Sequence, residues 1–162
     1  MTPKGDGQLE VMPMWSMIND ELVELLGLIP DGKLDWSPAP ERWNFKGILI
    51  HMVFGRYGLT GIAKDGGEAP NILQAGQTRD GLRELLSASW QRIEACVADA
   101  EALAREYDAP FYGKTQRLSG HWLAFGLLEH DIHHRAEILS YLDALGIAHE
   151  EPDTVARRFR EG

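Results

Sequence analysis

A chain of 162 residues, 44% hydrophobic and 25% charged, has the size and composition of one soluble globular domain with a sizeable core. Its net charge of −9, from 16 basic and 25 acidic residues, argues against a nucleic-acid partner, and no apolar run is long enough to cross a bilayer. The single cysteine, Cys96, excludes an intrachain disulfide and suits a reducing compartment; with a polar, Gly-rich start that shows no secretory apolar region, the cytoplasm is the expected location.

The whole of 1–162 reads as one domain with loosely ordered ends at 1–12 and 148–162. Pro13 sits where a first-turn proline is tolerated. Trp15, Ile18, Leu22, Leu25 and Ile29 then fall at steps of three and four, which predicts a helix from Pro13 to Ile29. Pro30-Asp31-Gly32 ends it, and Pro38 and Pro40 keep the following connector irregular. A second helix is expected over Trp43 to Lys64, with a stripe of Asn44, Ile48, His51, Gly55 and Leu59. Gly47, Gly55, Gly58 and Gly61 each cost about 1 kcal/mol relative to Ala inside a helix. Either this helix packs closely or leaves room beside a pocket, or it ends near Tyr57.

Asp65-Gly66-Gly67 breaks the chain, and Glu68 to Gln77 reads as a loop. Thr78 is a plausible N-cap for a third helix carrying Leu82, Leu86, Trp90, Ile93, Val97, Ala100 and Leu103 and ending near Tyr107. Cys96 lies in that pattern with no activating base in the local sequence, so it reads as a core residue rather than a nucleophile. Phe111 to Leu118 is read as a connector. Ser119 caps a long fourth helix, whose face holds Leu123, Leu127, His130, His134, Ile138 and Tyr141, and Gly146 stands where a C-terminal cap belongs. The tail allows a short helix over Asp153 to Phe159. Its Arg157, Arg158 and Arg160 read as a solvated end. Four amphipathic helices without a strand pattern predict an all-α four-helix bundle. The connectors exceed tight turns, so up-down and up-down-down-up orders are both open.

Within the fourth helix, His130-Asp131-Ile132-His133-His134 places two histidines four residues apart. Four residues advance a helix by about 6 Å and turn it by about 400°, so both imidazoles leave from one stripe. An inward histidine needs a partner, because a buried unpaired imidazole is costly. The pair is either a set of satisfied core histidines or, with His51 from the second helix, three ligands of a divalent metal. Three imidazoles leave coordination positions open for water and substrate, and they suit zinc, nickel or ferrous iron better than calcium or magnesium. His133 points about 100° away from His134, and His121 and His149 read as surface or packing residues. Asp131 and Glu137, and less so Glu129, are candidates to orient a ligand histidine, against the ordinary reading of charged residues on a solvated face. Arg135 is a candidate partner for a substrate carboxylate or a surface residue.

The chain resembles the DinB-like superfamily of metal-binding four-helix bundles, which includes bacillithiol- and mycothiol-dependent transferases. The likeness runs from the first helix to Gly146. It is carried by Pro40-Glu41-Arg42-Trp43 leading into Ile48-Leu49-Ile50-His51-Met52, by Glu129 through Arg135, and by Tyr141-Leu142 and Gly146. It implies a metal site of His51, His130 and His134. Where members often carry Gly-Gln after the His-His-Arg, this chain has Ala136-Glu137.

The resemblance and the histidines together predict a metal-dependent enzyme on a small-molecule substrate. One form is a transferase in which a low-molecular-weight thiol, held as thiolate, attacks an electrophile; another is a hydrolase of an amide or ester. The third reading is a non-enzymatic stress-related binding or dimerisation bundle. A homodimer suits an acidic bundle of this size.

Overall fold

The computed structural model describes residues 12–63, 69–111 and 113–150. The tail helix considered over Asp153 to Phe159 lies outside them. Four long helices form the bundle: α1 (Met12–Leu28), α2 (Phe45–Ala63), α4 (Arg79–Val97) and α6 (Gly120–Ala144). Two short helices, α3 (Ile72–Ala75) and α5 (Ala100–Ala104), and two strands, β1 (Glu106–Phe111) and β2 (Lys114–Ser119), complete the described elements. α1 packs on α4 and α6, and α2 packs on the same two helices. Consecutive α1 and α2 therefore stand on a diagonal. That excludes the simple up-down order, in which chain neighbours are bundle neighbours, and it requires residues 29–44 to cross one end of the bundle.

The core follows the predicted α1 stripe. Trp15, Ile18, Leu22, Leu25 and Ile29 are all buried, joined by Leu26. Arg79, at the start of α4, donates from its guanidinium to the carbonyls of Leu26 and Ile29 and to Asp31. These bonds satisfy acceptors left open where α1 ends. The crossing connector is anchored by Trp36, whose ring packs 5.9 Å from those of Phe45 and Tyr141. Asn44, expected on the α2 stripe, instead accepts from the Gly47 N–H at 2.7 Å in the manner of a cap. α2 runs on through Gly55, Gly58 and Gly61 to Ala63, so it does not stop near Tyr57.

Two expectations fail between 97 and 119. The third helix does not reach Tyr107: it ends at Val97, and Asp99 caps the separate α5 by accepting from the Ala102 N–H. The expected connector 111–118 belongs to an antiparallel hairpin in which Glu106 pairs with Ser119 and Phe111 with Lys114. Gly113 takes a φ of +75° at its turn, a conformation that favours glycine. The loop 68–77 also contains α3. Thr78 and Ser119 cap α4 and α6 by accepting from Gly81 and Trp122, and Gly146, with φ +68°, follows α6. No helix among the described residues is long and apolar enough to cross a membrane.

Candidate metal centre

The buried stripe of α2 is Phe45, Ile48, Leu49, Met52, Val53, Arg56 and Thr60. His51 and Gly55 lie on the edge of that stripe, half-buried, facing α6. On α6, His130 is half-buried and His134 buried. The three rings meet there. Their centroids are 4.8 Å apart for His51 and His130, 4.9 Å for His51 and His134, and 4.5 Å for His130 and His134. The Nε2 atoms of His51 and His130 are 2.9 Å apart, and one donor atom from each residue lies within 4.8 Å of the others.

Gly55 makes the contact between helices short enough. A Cβ at Gly55 would stand 3.0 Å from Cε1 of His130, so the bare backbone accommodates that ring. Of the other α2 glycines, a Cβ at Gly58 or Gly61 would meet open space, and one at Gly47 would crowd Asn44 Oδ1 at 3.0 Å. Trp43 lies over the cluster from the connector: its ring centroid is 4.3 Å from that of His51 and 6.1 Å from that of His134.

Glu137 makes the histidine contact considered for it. One carboxylate oxygen is 3.0 Å from His134 Nδ1 and the other accepts from the Tyr141 hydroxyl at 3.2 Å. Engaging Nδ1 leaves Nε2 of His134 for the cluster, the arrangement that commonly sets a ligand histidine's tautomer. Burial first, then Glu137, pushes the Tyr141 hydroxyl above its ordinary pKa. Burial, reinforced by neighbouring His134 and His51, pushes His130 down to about 4. Burial and His134 also lower His51, with Glu137 opposing. His51 and His130 are therefore neutral near pH 7, with lone pairs available for an ion. His130 Nδ1 is buried and has no hydrogen-bond partner.

Asp131 does something else. It is fully buried and accepts from Arg56 Nη2 at 2.9 Å, from Arg56 Nε at 3.2 and 3.3 Å, and from Trp15 Nε1 at 2.9 Å. It neither orients a histidine nor sits on a solvated face, because the one fully buried cation among the described residues, on α2, pairs with it there. Arg56, also fully buried, reaches Asn19 Oδ1 at 3.0 Å and, at 3.4 Å each, the Leu86 carbonyl and Ser89 Oγ. One buried network thus ties α1, α2, α4 and α6 beneath His130. Arg56 escaped the sequence reading because a lone arginine between glycines looks solvated, and its partner lies 75 positions away.

The remaining residues divide simply. Arg135 pairs with Glu21 of α1 at 2.9 Å, so it is not held ready for a substrate. His133 is exposed beside His134, and His133, His134 and Glu137 form a second group with metal-ligand spacing that shares His134 with the first. Glu129 and His121 are exposed, and His149 contacts Asp143 at 3.0 Å. Cys96 is half-buried on α4, lining an apolar cavity with Trp15, Ile93 and Leu123.

Fold and site together define a helical bundle with a three-histidine cluster between α2 and α6. The chain belongs to the DinB superfamily, whose family model matches residues 15–138. Solved structures agree at the level of fold. A DinB-like protein from Bacillus subtilis has 18% identity and a TM-score of 0.65, over 86% of this chain and 95% of that one. A structure described as a DinB-family member from Exiguobacterium sibiricum has 20% identity and a TM-score of 0.68, over 91% and 97%. A DinB-like protein from Bacillus cereus has 19% identity and a TM-score of 0.60, over 86% and 93%. No curated protein matches the sequence.

Proposed function

We propose that His51, His130 and His134 hold a divalent transition metal, and that the chain is a metal-dependent enzyme acting on a small molecule. One observation carries the reading: imidazoles from two helices bring three donor atoms within 4.8 Å of one another. The donor set fits zinc, nickel or ferrous iron. Held by neutral ligands alone, such an ion supplies undiminished positive charge that favours the anionic form of a bound thiol or water. The chain's own residues hold the geometry. Glu137 fixes the His134 ring, Gly55 admits that of His130, and Trp43 screens His51 on its outer side.

Within that class we favour S-transfer from a low-molecular-weight thiol to a small electrophile. No cysteine belongs to the cluster among the described residues, and Cys96 lies against the Thr60 carbonyl on another helix pair. The nucleophile therefore arrives with a ligand. Hydrolysis of an amide or ester by metal-bound hydroxide is the second reading; the carboxylate that touches the cluster, Glu137, is engaged by His134 and Tyr141 and so is not free to assist it as a general base.

The test has two stages. Elemental analysis of protein purified without chelators should find about one ion per chain, lost in a His130→Ala/His134→Ala variant. A cobalt-loaded sample is then titrated with cysteine, glutathione and other small thiols, watching for a sulfur-to-cobalt charge-transfer band. Metal without any such band sinks the S-transfer reading and leaves the centre standing. Absence of metal, with a His51→Ala variant as stable as the parent, sinks both.

A further inference from the structure

Trp43 is 49% exposed although its ring lies against His51 and stands 26° from the plane of His134. Its position is built. Asn44, the next residue, caps α2, and Gly47 gives that cap its room, because a Cβ there would stand 3.0 Å from Asn44 Oδ1. Trp43 covers His51 with one side of its ring, and about half of the residue remains open to solvent beside the histidines. Arg42 precedes it, exposed and in no ion pair among the described residues. Its charge is felt at the Tyr141 hydroxyl, the group that braces Glu137. An aromatic face therefore borders the centre on the connector side, and the residue before it in the chain carries an exposed cation.

We infer that Trp43 is the wall on which a planar, unsaturated group of the substrate lies, so that the site prefers small aromatic or conjugated acids to saturated acids of the same size. This rests on the metal reading above. Three neutral ligands leave the centre positively charged, and with Arg42 it attracts an anionic group; the indole then selects by shape. A flat π-system gains an offset stack on the ring, worth more than its buried area alone, and a puckered ring does not.

The probes are benzoate and cyclohexanecarboxylate, equal in carbon count, titrated calorimetrically into zinc-loaded protein after its zinc content has been measured. Benzoate should bind about tenfold more tightly. The preference should fall below about twofold in Trp43→Ala and largely persist in Trp43→Phe, which keeps a ring face. Arg42→Gln should weaken both acids alike. Zinc content and circular dichroism equal to the parent's establish that the variants are folded. A parent that takes zinc but binds both acids equally overturns this inference and leaves the metal centre intact. So does a Trp43→Ala variant that keeps the preference. A parent that takes no zinc overturns both.

Discussion

Asp131→Ala should be among the most damaging single changes in this chain, without acting on the histidine cluster directly. Its carboxylate accepts three well-formed bonds, one from Trp15 and two from Arg56, from side chains that are at most 1% exposed. Removal leaves the Arg56 guanidinium as an uncompensated charge in the core. Breaking such a pair costs about 3–5 kcal/mol. Arg56 keeps Asn19, Ser89 and the Leu86 carbonyl, all neutral, so a loss of about 4 kcal/mol is the working figure. At roughly 2–4 °C per kcal/mol for a chain of this size, Tm should fall by about 8–16 °C. An Arg56→Met/Asp131→Leu double variant removes both charges and should recover most of that loss. Denaturant melts of the parent, Arg56→Met, Asp131→Leu and the double variant close a double-mutant cycle. A single-variant cost below about 1 kcal/mol, or additivity within about 0.5 kcal/mol, would refute the account of a coupled buried pair.

Three further outcomes test the support around the histidines. Glu137→Gln keeps the size of the side chain but loses the anionic acceptor at His134 Nδ1, so zinc affinity by competition with a chelator should fall about 10–100-fold. Gly55→Ala should separate stability from metal binding. Alanine favours the helix by up to about 1 kcal/mol, yet its Cβ would meet the His130 ring at 3.0 Å, so zinc affinity should drop while Tm holds or rises. An unchanged affinity would show that the ring can give way. Metal-free protein should lose stability as pH falls from about 6.5 to 4, because the unfolded chain takes up the His130 proton at its ordinary pKa while the folded chain resists to about 4. With the half-exposed ring discounted for screening, the loss is roughly 2 kcal/mol. Denaturant melts at both ends of that window, compared with His130→Asn, isolate it from the carboxylates; an identical slope in the variant would remove His130 as the cause.

What the sequence made legible was governed by local chemistry. Thr78 and Ser119 act through an N–H three residues away, so position in the chain suffices to place those caps. His130 and His134 share a stripe because the helix dictates it. The failures needed partners that local pattern does not contain. The β1–β2 ribbon has polar residues on most exposed positions and carries Pro110, which usually demotes a strand, so its alternation is faint. Tyr112-Gly113 was the available turn signal. α4 looked continuous to Leu103 because its apolar spacing survives the break; only the Asp99 cap marks it. The α2 stripe drawn through Asn44, Ile48, His51, Gly55 and Leu59 was displaced toward α6 from the true core line of Phe45, Leu49, Met52 and Arg56.

That displacement explains why the histidines cluster at all. A stripe through the middle of the α2 core would bury His51 among aliphatic side chains, where an imidazole has no partner. At the edge, His51 meets α6 across Gly55, with the Arg56–Asp131 pair beneath and Trp43 above. The layer beneath is internally neutral, so it adds little net field to the imidazoles, and the carboxylate that touches the cluster is Glu137. The connector crossing the bundle end holds both sides of this arrangement: Trp36 packs on Tyr141, which braces Glu137 and through it His134, while Trp43 lies against His51. The diagonal placement of α1 and α2 makes that crossing necessary, so the topology of the bundle supplies the very segment that closes over its histidines.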